Sequence, residues 1–177
     1  MKLLSGTDLA SYIKARQASE VASLPSAPQL LIIRDSDNPV ITKYVNLKVA
    51  YGADIGVVVK DYLAPTPADI STRLQSASQD PTISGVIIQL PLTDTSLTDQ
   101  LCNLIPSSKD VDGLGAHAAY DSATATAILW LLAGYDVKLE SKRIAIVGRG
   151  KLVGAPLYRM FTASHYDVTL FHRGDDL

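Results

Sequence analysis

Arg143-Ile144-Ala145-Ile146-Val147-Gly148-Arg149-Gly150-Lys151-Leu152-Val153-Gly154-Ala155-Pro156 is the stretch on which the fold turns. Its first five residues form a short apolar run, the pattern of a strand buried in a parallel sheet. Three glycines follow in G-x-G-x-x-x-G spacing, one residue longer than the common G-x-G-x-x-G. Residues Ala155 to Ser164 then read as a helix, and Asp167 to Phe171 as a second strand. Glycines let the backbone approach a bound pyrophosphate, and a helix N-terminus offers N–H donors and partial positive charge. A tight strand-to-helix turn without a ligand carries the same signature.

Upstream, the same alternation recurs. A helix is expected from Asp8 to about Ala22, capped by Thr7 or Asp8. Gln29–Ile33 reads as a buried strand, and Asp35-Ser36-Asp37-Asn38-Pro39 as turn chemistry. Ile41 to about Tyr51 reads as a helix stopped by Gly52, and Gly56–Lys60 as a second buried strand. Thr66-Pro67-Ala68-Asp69 opens a helix to Gln79, with a threonine cap and proline just inside it. Val86–Leu90 reads as a third strand, Thr95–Leu104 as a helix and Ile105–Gly115 as a loop. Thr124–Leu132 reads as a helix that Gly134 ends. The alternation predicts an α/β protein with parallel sheets and helices outside. The expected domain boundary falls near Ala116, giving domains 1–116 and 117–177. Strand, helix, strand is less than a full nucleotide-binding sheet, so the second domain is expected to be incomplete.

The composition sets outer limits. The 177 residues carry 16 Lys+Arg against 18 Asp+Glu, a formal charge of −2. That balance argues against a chain that wraps nucleic acid electrostatically. Hydrophobic residues make up 47%, enough for a buried core. A single cysteine, Cys102, excludes an intrachain disulfide and a multi-thiolate zinc site. The apolar run Ala125–Ala133 is too short to span a bilayer, and the N-terminus lacks signal-peptide form. A cytoplasmic location and no metal are expected.

Four groups of residues carry candidate chemistry. Tyr44 and Lys48 lie four apart on a predicted helix and share a face near the carboxyl edge of the first strand. A lysine there serves as a general acid or base if burial lowers its pKa; an ordinary surface lysine beside a half-buried tyrosine has the same pattern. Gln89 is a polar residue in an apolar strand, and in a parallel sheet it needs a partner or a ligand. Lys109-Asp110-Val111-Asp112-Gly113 is a compact loop with alternate carboxylates. It lacks the remaining ligands of a calcium loop, and its carboxylates suit an aminopyrimidine-like ring or a turn cap. Arg149, inside the glycine turn, and Arg173, past the next strand, favour a ribose 2′-phosphate, hence NADP. Asp175 and Asp176 leave NAD open. His117, His165 and His172 have no ligand spacing.

Tyr44-Val45-Asn46-Leu47-Lys48, Gly85-Val86-Ile87-Ile88-Gln89-Leu90-Pro91-Leu92, Lys109-Asp110-Val111-Asp112-Gly113 and Val147 to Pro156 occur in one order. In that order they resemble the bifunctional methylenetetrahydrofolate dehydrogenase/methenyltetrahydrofolate cyclohydrolase family, over essentially the whole chain. The resemblance implies two Rossmann-like domains with a cleft between them. It implies NADP-linked oxidation of 5,10-methylenetetrahydrofolate to the methenyl cation, then hydrolysis to 10-formyltetrahydrofolate. It makes Lys48 the acid/base of the hydrolysis, Tyr44 the stacking partner of the folate, and Gln89 the group that holds Lys48 neutral. It places Ile88, Gln89, Leu90, Pro91 and Asp112 among the substrate-binding residues, Asp112 on the pterin amino edge, with Asp110 supporting the loop. It gives Gly148, Arg149, Gly150, Gly154 and Arg173 to the cofactor. Homodimerisation through the second domain is also implied.

Departures are clear. Where the family carries Pro-Cys-Thr-Pro, this chain has Ser122-Ala123-Thr124-Ala125. Its Gly-Arg-Ser is Gly148-Arg149-Gly150, and its Cys-His-Ser is Phe171-His172-Arg173. Family members also continue beyond the equivalent of Leu177. These departures leave two other readings: a cyclohydrolase alone, and a non-catalytic folate- or nucleotide-binding remnant. An unpaired edge on the strand Arg143–Val147 or Asp167–Phe171 is expected to drive self-association.

Overall fold

Three parallel strands, with Gln29–Arg34 between Val58–Leu63 and Ile83–Ile88, form the sheet of the first of two units in the computed structural model. The structure describes residues 3–172, 174 and 175. The first unit covers Ala10–Tyr120; the second joins residues up to Leu9 with those from Asp121 onward.

The first unit contains most of α1 (Gly6–Ala22), then β1 (Gln29–Arg34), α2 (Pro39–Ile55), β2 (Val58–Leu63), α3 (Pro67–Gln79) and β3 (Ile83–Ile88). A 3₁₀ turn at Thr95–Leu97, α4 (Thr98–Cys102) and a second 3₁₀ turn at Ser107–Lys109 follow. Successive side chains of a strand point to opposite faces. Leu31 and Ile33 of β1 therefore join Val86 and Ile88 of β3 in one core, with Ile70 and Leu74 of α3. Ile32 and Ile87 face the other way and meet Ile41 and Val45 of α2. Helices cover both faces, which is why the sequence of β1 is apolar without alternation.

Three local expectations are corrected. α1 starts at Gly6, and its first turn is capped by Ser5, whose Oγ accepts from Asp8 N at 3.3 Å. Gly52 does not stop α2. It is buried inside the helix, where a Cβ would lie 2.4 Å from Val59 Cγ2, so glycine lets α2 approach β2. The stop is Gly56, left-handed at φ 84°. β2 begins at Val58 and is largely exposed, because it pairs with β1 on one side only. The α3 expectation holds: Thr66 Oγ1 accepts from Asp69 N at 3.1 Å, and Asp69 accepts from Thr66 N at 3.2 Å.

In the second unit, α5 (Ala123–Gly134) precedes β4 (Arg143–Val147), α6 (Gly154–Ala163) and β5 (Asp167–Phe171). β4 and β5 pair in parallel, from Arg143 opposite Asp167 to Val147 opposite Phe171. Among the described residues this sheet has two strands. Ala125, Ile146, Leu157 and Phe161 form its core. No helix among the described residues is long and apolar enough to cross a membrane.

Candidate active site

Helix α2 positions the first two candidates. Asn38 caps it, its Oδ1 accepting from Val40 N at 2.9 Å, and Pro39 sits in the first turn. Ile41 and Val45 turn into the core, which sets the rotation of the helix. Tyr44, one position away, is 56% exposed and offers its ring to solvent. Lys48, one turn further on, is half-buried beside the carboxyl end of β3.

Gln89 follows directly from β3. Its N donates to Ile33 O at 2.8 Å, extending the ladder beyond the strand, and the residue is buried. Its Nε2 donates to Leu90 O at 3.0 Å, which orients the amide. The oxygen Oε1 is left facing Lys48, and Lys48 Nζ donates to it at 2.7 Å. The acceptor is neutral, so the contact satisfies the amine without the pull of a carboxylate on its proton. Burial pushes the Lys48 pKa below the ordinary lysine value, and the charge of Asp112 partly opposes this.

Asp112 is perturbed in the opposite sense. Burial raises its pKa, Lys48 pulls it down, and the neighbouring Asp110 pushes it up. The two aspartates of the loop have separate roles. Asp110 is fully buried and is turned onto its own loop, accepting from Gly113 N at 3.0 Å and Gly115 N at 2.7 Å. Asp112, in the turn that follows the bridge residue Asp110, interacts electrostatically with Lys48. Lys48, Gln89 and Asp112 thus come together although 41 and 23 residues separate them in sequence.

The remaining candidates are placed as follows. Ile88 is 2% exposed and its side chain packs into the core, which leaves its main chain as the part that a substrate could meet. Leu90 is half-buried and Pro91 exposed, joined by a cis peptide bond. In the second unit, Gly148 has φ 110° and its N donates to Phe171 O at 2.8 Å. A Cβ at Gly154 would lie 1.8 Å from Gly148 O, whereas one at Gly148 or Gly150 would meet nothing within 4 Å. The turn is closed on the helix side and open on the other. α6 has no side-chain cap at its N-terminus, so its first N–H groups are not taken by a capping side chain. Arg149 Nη2 lies 4.0 Å from Asp175 Oδ2. Arg173 lies outside the described residues. Among the described residues no cluster of His, Cys, Asp or Glu could hold a metal ion.

One residue that the sequence shows only as the start of the Lys109–Gly113 loop, with no role of its own, is well engaged here. Lys109 Nζ donates to Ala77 O and Asp80 O, both at 2.8 Å. The only local signal was that α3 has no basic residue in its last turn.

Two family models match the chain. The catalytic domain of tetrahydrofolate dehydrogenase/cyclohydrolase matches residues 4–112, and its NAD(P)-binding domain matches residues 122–176. The bifunctional protein FolD of Chlamydia felis is 31% identical over 96% of this chain and 65% of its own length. The chain therefore spans about two-thirds of the curated relatives it matches. The crystal structure of the FolD dehydrogenase/cyclohydrolase of Campylobacter jejuni superposes with a TM-score of 0.92 at 26% identity, over 100% of this chain and 68% of that one. The bifunctional 5,10-methylenetetrahydrofolate dehydrogenase/cyclohydrolase of Thermoplasma acidophilum gives 0.87 at 25% identity, over 99% and 68%.

Proposed function

Because the chain belongs to the tetrahydrofolate dehydrogenase/cyclohydrolase family, we propose that its first unit hydrolyses 5,10-methenyltetrahydrofolate to 10-formyltetrahydrofolate, and that the whole protein forms the methenyl substrate by NADP-linked oxidation of 5,10-methylenetetrahydrofolate. The observation that carries the reading is the 2.7 Å contact from Lys48 Nζ to a neutral amide oxygen, beside Asp112.

In the hydrolysis, neutral Lys48 takes a proton from water as the water oxygen bonds to the methenyl carbon. Lys48 then returns the proton to the ring nitrogen as its bond to that carbon breaks. The hydroxyl proton leaves to solvent and the formyl group stays on the other nitrogen. Tyr44 covers the folate ring, and Asp112 accepts from its amino edge. Gln89 keeps the amine aimed and uncharged. The leading test is the decay of methenyltetrahydrofolate absorbance; a wild-type rate equal to that of buffer overturns the reading.

The turn at Gly148–Gly154 fits a nicotinamide dinucleotide, since its outer side is open where a pyrophosphate would lie and the α6 N–H groups carry no side-chain cap. Gly148, Arg149 and Gly150 would hold the phosphates, with Arg149 and Arg173 toward the 2′-phosphate, and Gly154 would serve the cofactor by letting α6 close on the turn. Bound there, the cofactor supplies the hydride acceptor; the protein's part is alignment. NADP is expected to bind at least about tenfold more tightly than NAD, the worth of one charge-assisted pair. Titration calorimetry checks this, and equal affinities would remove Arg149 from the assignment. A homodimer and a cytoplasmic location belong to the same proposal; sedimentation velocity reads the first.

Gln89→Glu tests the role of the neutral acceptor. A carboxylate against Nζ stabilises the ammonium and raises the Lys48 pKa. The base is active only when deprotonated, so the rising limb of the hydrolysis pH profile is expected to move to higher pH, with a lower rate near neutrality. An unmoved limb would mean that Lys48 is not the titrating base.

A further inference from the structure

We infer that Lys109 is a positioning residue that sets the affinity for the folate ring by holding Asp112 in place. The inference rests on the proposed folate reaction and concerns a residue to which that reaction gives no part.

The loop before Asp112 is fixed residue by residue, each time by a different partner. Lys109 reaches the C-terminal end of α3, where its ammonium donates to Ala77 O and Asp80 O at 2.8 Å and lies 3.5 Å from Ser78 O. These carbonyls end a helix without a basic residue in its last turn, so the lysine both satisfies them and opposes their partial negative charge. Asp110 extends the sheet through an isolated parallel bridge to Val86 and binds the N–H groups of its own loop. Val111 packs where Gly85 leaves room; a Cβ there would lie 2.7 Å from Val111 Cγ1.

Asp112 comes next, and its neighbour Gly113 turns the chain away at φ 66°. Among the described residues the Asp112 carboxylate accepts no hydrogen bond seen in the structure, so its direction is set by the main chain beneath it. Asp110 and Val111 tie that main chain to its own loop and to β3. Lys109 ties it to α3. Without the ammonium, the start of the loop loses its hold on the α3 terminus, and the carboxylate no longer meets the ring edge at a fixed place.

The test is a double-mutant cycle on methenyltetrahydrofolate hydrolysis. Lys109→Met keeps the methylene stem and removes the donor. It is expected to raise KM about tenfold, the size of one displaced polar contact, while kcat stays within about twofold. Lys109→Arg, which can donate to the same carbonyls, is expected to restore KM. In an Asp112→Asn background, Lys109→Met is expected to change KM no further. Lys109→Gln keeps one donor and is read instead if the methionine variant does not fold; its KM is expected to lie between those of arginine and methionine. An unchanged KM, an equal KM rise in both backgrounds, or a fall in kcat that only tracks the folded fraction would each overturn the inference while the folate reaction stands. A wild-type protein without hydrolysis or folate binding would overturn both.

Discussion

Lys48→Met is expected to lower the hydrolysis of methenyltetrahydrofolate by ~10²–10⁴-fold, the range for loss of a general acid–base group. The substitution replaces the ammonium by a thioether of similar length, so the packing of the half-buried stem is largely kept. What disappears is the group proposed to carry a proton between water and the ring nitrogen. Gln89 cannot substitute, because an amide does not titrate in this range, and the proposed reaction assigns Asp112 to the pterin edge. The direction of the Lys48 shift matters for the size of the effect. A lysine at its free value of ~10.4 is almost wholly protonated at neutral pH and is a poor base. Burial lowers this value, and the neutral partner at 2.7 Å does not reverse it. Folate binding is expected to survive through Tyr44 and Asp112, which fluorescence titration can follow. A Lys48→Met protein that hydrolyses at the wild-type rate would refute the mechanism, even if the family reading stood.

Gly154→Ala is the second large effect, on the fold of the second unit. Its Cβ would lie 1.8 Å from Gly148 O and 2.8 Å from Gly148 C, both main-chain atoms. No rotamer change relieves such an overlap, so β4, the turn or α6 has to move. The α6 residues Leu157 and Phe161 belong to the core of this unit, which transmits the displacement. The expected loss is about 3 kcal/mol or more, at the upper end for overpacking. Trp130, the single tryptophan, lies on α5 in the same unit and reports its unfolding. Gly150→Ala is the control: its Cβ meets nothing within 4 Å, so stability is expected to change by less than about 0.5 kcal/mol. That same Cβ enters the space proposed for the pyrophosphate, and NADP affinity is expected to fall. Equal melting of Gly154→Ala and wild type would show that the turn yields easily.

The class of fold and the places where chemistry could sit are legible in the residues alone. β4 and β5 run over the residues read as strands, Arg143–Val147 and Asp167–Phe171, because short apolar runs between a glycine turn and a helix have few other solutions. Thr66, Pro67 and Asp69 announce the start of α3, since a cap is a contact within four residues. Tyr44 and Lys48 share a helical face by periodicity alone.

The tertiary structure decided what depends on which element lies beside which. Val57-Val58-Val59 reads as apolar whether its strand is central or marginal, and only the order β2-β1-β3 leaves β2 at an edge. Gly52 looks like a helix stop until Val59 is seen against it. The Lys48–Gln89 hydrogen bond and the seat of Lys109 on α3 join residues 41 and about 30 positions apart. Local propensity acts over a few residues and carries no record of such pairs. The first arises because parallel strands, joined by crossover helices, bring their carboxyl ends to one edge of the sheet; the second lies where α3 ends, next to the start of β3 at Ile83.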